Sequence, residues 1–263
     1  MPQQTSYPCL NIVSISRSAS DLLQTYISAR EFIRTLSLPS KHILVFDSTA
    51  TLATFNSLVH VDHQVTQLVQ ELPGISHAFN YATQYLSPGY VLYLNAGDIF
   101  ASLSTIDHYE LSKNLSQYDL DLIICKSKLL PSTVIPRPYV QYVSTFLWLP
   151  FILARLPHQA TFINTKYIHA IPYISTMRVR MDYSFFYALL QQRREIAFLD
   201  ILLSFMSPGG ISSNLSAGYA EEFFIHKSLD NYPLIHQLRI SLTQAIKSSC
   251  LSLLAFLKYL AKT

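Results

Sequence analysis

The chain has 263 residues, half of them hydrophobic and only 13% charged, against about 25% charged in an ordinary soluble domain. That excludes a disordered chain, which needs high charge and few aromatics, and it allows a sizeable core. Nineteen Lys and Arg against sixteen Asp and Glu leave a net +3. The basic residues are scattered rather than striped, so no nucleic-acid partner is expected. Cys9, Cys125 and Cys250 stand far apart with no CxxC, which argues against a disulfide framework or a zinc knuckle and for a reducing compartment.

A mean hydropathy of +0.24 raises the membrane question. The 17-residue run between Arg137 and Arg155, PYVQYVSTFLWLPFILA, carries two prolines, a Gln, a Ser and a Thr. A spanning helix needs about 20 predominantly apolar residues, so this run reads as a buried or interfacial segment. The N-terminus has no basic stretch ahead of its apolar residues, so no signal peptide is expected. The expected location is the cytoplasm, with contact to the inner face of the cytoplasmic membrane.

In chain order, Leu10 to Ile15 (LNIVSI) reads as a buried strand, and Ser18 to Asp21 supplies N-cap chemistry for a helix carrying Leu22, Leu23, Tyr26, Ile27 and Ile33. His42 to Phe46 (HILVF) has the continuous apolar pattern of a parallel strand covered on both faces. Helices are expected over Ala50 to Leu58, Val65 to Leu72 and Ala78 to Leu86. Val91 to Leu94 and Leu122 to Cys125 read as further strands, so strands separated by helices imply βαβ units and a mostly parallel sheet. Pro131 to Pro157 is expected to wrap the surface. Ala160 to Ile163 follows as a short strand, Tyr183 to Gln192 as a helix and Ile196 to Leu199 as a strand. An apolar helix closes the chain over Leu251 to Leu260, with Lys258 and Lys262 near its end.

In an open parallel sheet, ligands bind at the carboxyl ends of the strands. Three strands here end in polar residues: Ser16-Arg17-Ser18, Asp47-Ser48-Thr49 and Asn95-Ala96-Gly97-Asp98. A carboxylate at such a place can reach Mg²⁺, which takes one or two carboxylates plus phosphate oxygens. On residue types alone, Asn-Ala-Gly-Asp reads first as a plain turn.

Tyr90 to Asp98, YVLYLNAGD, resembles the strand and metal-binding motif of GT-A-type glycosyltransferases of the family 2 group, the colanic-acid and O-antigen type, roughly "ilfLNsGD". Four further segments are similar to that group in the same order. Gly74 to Asn80 (GISHAFN) resembles "GIYDAMN", Leu156 to Phe162 (LPHQATF) resembles "mphQatF", Met181 to Phe186 (MDYSFF) resembles "asDYdff", and Gly209 to Asn214 (GGISSN) resembles "gGISsn".

The resemblance implies a GT-A fold, a Rossmann-like mostly parallel α/β sheet flanked by helices, over residues 1–232. Residues 233–263 would form a helical tail on the domain or at a membrane surface. It implies Asp98 as the carboxylate that holds Mg²⁺ or Mn²⁺ against the donor diphosphate. Asp182 falls at the position of the general base. Asp47, Asn80 and Asn95 fall at donor-binding positions, and His158 and Gln159 on the acceptor side. The implied reaction is an inverting transfer from a nucleotide-diphosphate sugar to a hydroxyl of a surface glycan or a polyprenyl-linked acceptor.

The chain departs from the family at its donor loop. Where "DGGSTDGT" is usual, Asp47 to Thr54 reads DSTATLAT, with both glycines lost and Leu52 in place of the second Asp; His77 stands where an Asp is expected. This motivates the alternative of a non-catalytic GT-A-like protein that binds a glycan or a partner. Two simpler constellations read as structural. His60, Asp62 and His63 lack a further ligand cluster, and Gly74-Ile-Ser76 lacks the second glycine of a nucleophile elbow.

Overall fold

Strands β1 (Cys9–Ser16), β2 (Ser40–Phe46) and β4 (Gly89–Tyr93) are almost continuously apolar, and their central residues are buried on both faces of one sheet. In the computed structural model, residues 8–117, 119–129, 156–192, 194–208 and 215–229 are described. The remaining strands are β3 (Val65–Val69), β5 (Ile99–Phe100), β6 (Leu122–Leu129), β7 (Thr161–Asn164) and β8 (Ile196–Met206). The sheet order is β3-β2-β1-β4-β7-β6-β8-β5. The pairs β1–β2, β1–β4, β2–β3 and β6–β8 are parallel, while β7 runs antiparallel to β4 and β6, and β5 antiparallel to β8.

Alternate residues of the strands serve two cores. Leu10, Ile12, Tyr90, Leu92 and Ile123 pack with Ala29 and Phe32 of α1 (Ala19–Thr35) and with Leu111 and Leu115 of α4 (Thr105–Gln117). On the same helix α1, Leu22 and Tyr26 join Leu44, Phe46 and Phe55 of α2 (Thr49–Leu58) in a second cluster. The opposite face carries α3 (Ile75–Thr83) against β1 and β2, where the rings of Phe79, Tyr93, Tyr173 and Phe185 meet in tilted and edge-on contacts. Two further helices, α5 (Thr165–Ala170) and α6 (Met181–Leu189), follow β7. Gly89 opens β4 with φ +145°, and a Cβ there would lie 2.1 Å from the Cys9 carbonyl oxygen; only glycine lets β4 lie this close to β1.

The helix expected over Val65 to Leu72 is instead the edge strand β3, registered in parallel on His42 to Phe46. Its Val65, Leu68 and Val69 mimic helical spacing, yet only Leu68 is buried, and β-branched Val65, Thr66 and Val69 favour a pleated strand. The chain divides into two compact units, residues 1–210 and 211–263; the described part of the second is α7 (Leu215–Leu229). The apolar run before Arg155, the GGISSN motif and the 233–263 tail lie outside the described residues. Among the described residues no helix is long and apolar enough to cross a membrane.

Candidate active site

Because β1 to β4 run parallel, their carboxyl ends line one edge of the sheet, and backbone bonds carry the pairing into the loops beyond. Asp47 N–H donates to the Ser16 carbonyl at 3.2 Å, Gln70 N–H to Phe46 at 2.9 Å, and Ala96 N–H to Ile15 at 3.2 Å. The antiparallel β7 returns between β4 and β6, so the 3-10 turn His158–Ala160 that precedes it lands on this same edge.

The loop after β4 is a turn closed by Asp98 N–H on the Asn95 carbonyl at 2.9 Å. Gly97 adopts φ +91°, and a Cβ on it would stand 3.1 Å from both Cβ and Oγ of Ser207, just beyond β8. From the other side the buried Thr25 of α1 pins the loop. Its hydroxyl donates to the Asp98 carbonyl at 2.8 Å and accepts from Gly97 N–H at 2.9 Å. These contacts orient the Asp98 side chain, 4% exposed as a residue, so that Oδ1 accepts from Ser207 N–H at 2.9 Å. Burial pushes the Asp98 carboxyl above its ordinary range, against the opposing pull of the Ser207 N–H, His158 and a Gln159 side-chain hydrogen bond.

Asp182 enters from α6. Its Oδ1 accepts from Tyr183 N–H at 2.8 Å, and its Oδ2 lies 3.1 Å from His158 Nδ1. Burial pushes this carboxyl up, but the hydrogen bond and charge of His158, the Tyr183 N–H and Arg180 more than offset it, and the net shift is downward. Asp182 is therefore ionised at neutral pH. The other ring nitrogen of His158, Nε2, lies 3.0 Å from Asn95 Nδ2, and the ring meets Phe79 edge-on with centroids 6.4 Å apart. Asp98 and Asp182 are thus joined through Asn95 and His158.

The other sequence-derived candidates are placed differently. Asp47 stands at the carboxyl end of β2, but its Oδ1 accepts from Thr51 Oγ1 at 2.6 Å and from Ser48 Oγ at 3.2 Å, which ties it to the first turn of α2. Asn80 is engaged at both ends by one residue: Nδ2 donates to the Tyr173 carbonyl at 2.8 Å and Oδ1 accepts from Tyr173 N–H at 2.9 Å. It fastens α3 to the segment before α6. Ser76 is buried, its hydroxyl donating to the Met177 carbonyl at 2.9 Å, so it is no nucleophile. Asp62 pairs with Arg30 and His63. Thr25 and Ser207 were not legible: each lies more than 70 residues from Asp98 along the chain, and no local pattern links them.

No family model matches the chain, and no curated protein matches it. Solved structures do. S. aureus TarS, residues 1–349, in complex with UDP superposes with a TM-score of 0.60 at 12% identity, over 88% of this chain and 69% of that one. The same protein bound to UDP-GlcNAc gives 0.57 at 15% identity, over 88% and 70%, and against the longer TarS structure the match spans 42% of that chain. A mannosyltransferase from Pyrobaculum calidifontis in complex with GDP-Man and Mn²⁺ gives 0.58 at 12% identity, over 100% of this chain and 83% of that one. Mannosyl-3-phosphoglycerate synthase from Rubrobacter xylanophilus gives 0.57 at 14%, over 84% and 74%. With its mostly parallel sheet and these likenesses, the chain has the GT-A glycosyltransferase fold.

Proposed function

We propose that this protein is an inverting glycosyltransferase that moves a sugar from a nucleotide-diphosphate donor to a hydroxyl of a surface polysaccharide or lipid-linked glycan. The observation that carries the reading is the chain of hydrogen bonds that joins two carboxylates: Asp182 of α6 to His158, His158 to Asn95, and Asn95 to Asp98 in the β4 loop.

Asp98 fits a hard divalent cation, Mg²⁺ or Mn²⁺. It is a buried carboxylate with a raised pKa, and among the described residues no Lys or Arg forms an ion pair with it. Nor do the described residues include a group of three His, Cys, Asp or Glu side chains that would close a cage, so diphosphate oxygens would complete the coordination. Bound there, the cation would neutralise charge on the departing nucleoside diphosphate. Asp182, ionised at neutral pH, takes the proton of the acceptor hydroxyl as its oxygen bonds to the anomeric carbon and the bond to the diphosphate breaks. The loop after β4, held by Thr25 and Ser207, fixes Asp98 before substrate arrives, which is where catalytic positioning has most effect.

Asp98→Ala and Asp182→Ala should each abolish transfer while leaving the fold intact; full activity in either removes that residue from the assignment. A second reading, a non-catalytic GT-A-like binding protein, is favoured by one observation. The loop that replaces DGGSTDGT folds Asp47 onto Ser48 and Thr51. Calorimetry with uridine, guanosine and thymidine diphosphate sugars plus Mn²⁺ separates the two, since saturable metal-dependent binding counts against the scaffold.

A further inference from the structure

His158 joins the two halves of the site. Its side chain is 13% exposed, with Nδ1 3.1 Å from Asp182 Oδ2 and Nε2 3.0 Å from Asn95 Nδ2. With both ring nitrogens engaged, no polar atom of the ring is left for an acceptor hydroxyl. We propose that His158 is a positioning residue: donating the hydrogen on its Nδ1, it holds the Asp182 carboxylate in one orientation and couples it, through Asn95, to the loop that bears Asp98. This rests on the reading of Asp182 as the base.

The carboxylate fixes one of the two ring positions: an ionised carboxylate can only accept, so Nδ1 must carry a hydrogen. On the far side Nε2 meets the side-chain amide of Asn95, whose Oδ1 is buried without a partner among the described residues, so the amide serves the ring with its nitrogen or its oxygen. A ring without hydrogen on Nδ1 would set a lone pair against a carboxylate and lose that bond. Phe79 seals the ring from one side and itself packs on Tyr93 and Tyr173, which limits rotation. Asn95 in turn is part of the turn closed on Asp98. A displacement of that loop therefore reaches Asp182 through two hydrogen bonds and one rigid ring. The reciprocal holds as well: the base is correctly oriented only while the loop is in place.

Three substitutions and one spectroscopic measurement test this. In His158→Ala, kcat should fall about 10- to 100-fold with donor KM little changed, the size expected for a misplaced reacting group. His158→Asn, whose amide nitrogen stands near the Nδ1 position, should recover most of the loss, whereas His158→Gln, which mimics Nε2, should not. Equal losses in Ala, Asn and Gln variants that unfold at the wild-type temperature would overturn the proposal, as would wild-type kcat in His158→Ala. Independently of activity, ¹⁵N NMR of the histidine-labelled full chain in magnesium buffer should show His158 protonated at Nδ1. An Nδ1 without hydrogen overturns the proposal even in an active enzyme. A wild-type chain that transfers no sugar would instead sink the transferase reading, leaving the NMR result to decide the hydrogen-bond relay.

Discussion

The hydroxyl of Thr25, in the middle of α1, donates 2.8 Å to the backbone carbonyl of Asp98 and accepts from Gly97 N–H at 2.9 Å. One helix side chain thereby satisfies both polarities of a buried loop that would otherwise carry unpaired backbone groups. Thr25→Val keeps the shape and removes both bonds. It should cost about 1–3 kcal/mol, the penalty for buried groups left unsatisfied, and weaken transfer more than its stability loss explains. Thr25→Ser should retain most of both. Chemical denaturation and steady-state assays on the two variants check this.

Gly97 meets two independent constraints, φ +91° and a 3.1 Å approach to Ser207. The left-handed conformation alone costs an L-residue about 1–2 kcal/mol. The Ser207 backbone N–H is also the donor that holds Asp98 Oδ1. Gly97→Ala should therefore lower stability by at least that amount and impair the proposed transfer, because any shift that relieves the contact moves the partner of Asp98. A variant of unchanged melting temperature and activity would refute the constraint.

Asn80 provides a contrast. Its amide makes two reciprocal hydrogen bonds to the backbone of Tyr173, so Asn80→Ala should destabilise by about 2 kcal/mol with nucleotide-sugar affinity unchanged. Titration calorimetry beside urea denaturation reads the two separately. A large loss of donor affinity with stability intact would return Asn80 to the donor pocket.

The resemblance and the geometry divide the legibility of this protein unevenly. Strands β1, β2, β4 and the start of β6 read directly from their continuous apolar runs, because strands covered on both faces need no polar alternation. β3 departs from the expected helix because five edge residues carry too little periodicity to tell a strand from a helix turn. β8 runs past the expected Leu199 to Met206 because exposed Asp200 interrupts its apolar run. α4 was not read, since only Leu111 and Leu115 of it face the core. Ser104 and Asp107 at its start, each accepting from the other's backbone N–H as in a capping box, are the available signal. Asp98 and His158 could be singled out from motifs, but not the bonds that join them to Ser207, Thr25, Asn95 and Asp182, which depend on the sheet order.

A buried histidine outside the site makes acid stability testable. His42 lies in β2, its Nε2 3.0 Å from Ser14 Oγ and its Nδ1 without a partner among the described residues. Burial pushes its pKa down to about 3. The unfolded chain takes up a proton near 6.5 that the folded chain refuses. Stability from this group is therefore complete above that pH and declines by about 1.4 kcal/mol per unit below it, until the folded pKa is reached. Between pH 7 and 5 the loss is about 2 kcal/mol. Urea denaturation at both pH values should show this extra decline in wild type relative to His42→Leu; parallel slopes would mean that His42 is protonated in place.

The carboxyl group of Asp98 has the opposite linkage. Its folded pKa is raised, chiefly by burial, so the folded state holds the proton more tightly. Its contribution to stability is greatest in acid and is lost as pH rises through the folded pKa. Ionising the carboxyl in the folded state therefore carries a cost, which a cation would relieve. Asp98→Asn keeps an acceptor for Ser207 N–H and removes the charge, so the variant should melt at or above the wild-type temperature at pH 7.5 while losing transfer. Mn²⁺ with a nucleoside diphosphate at a hundred times their Kd should stabilise the wild type by about 2.7 kcal/mol and leave Asp98→Asn unmoved. If both proteins gain equally, the cation binds elsewhere and Asp98 is a structural carboxylate.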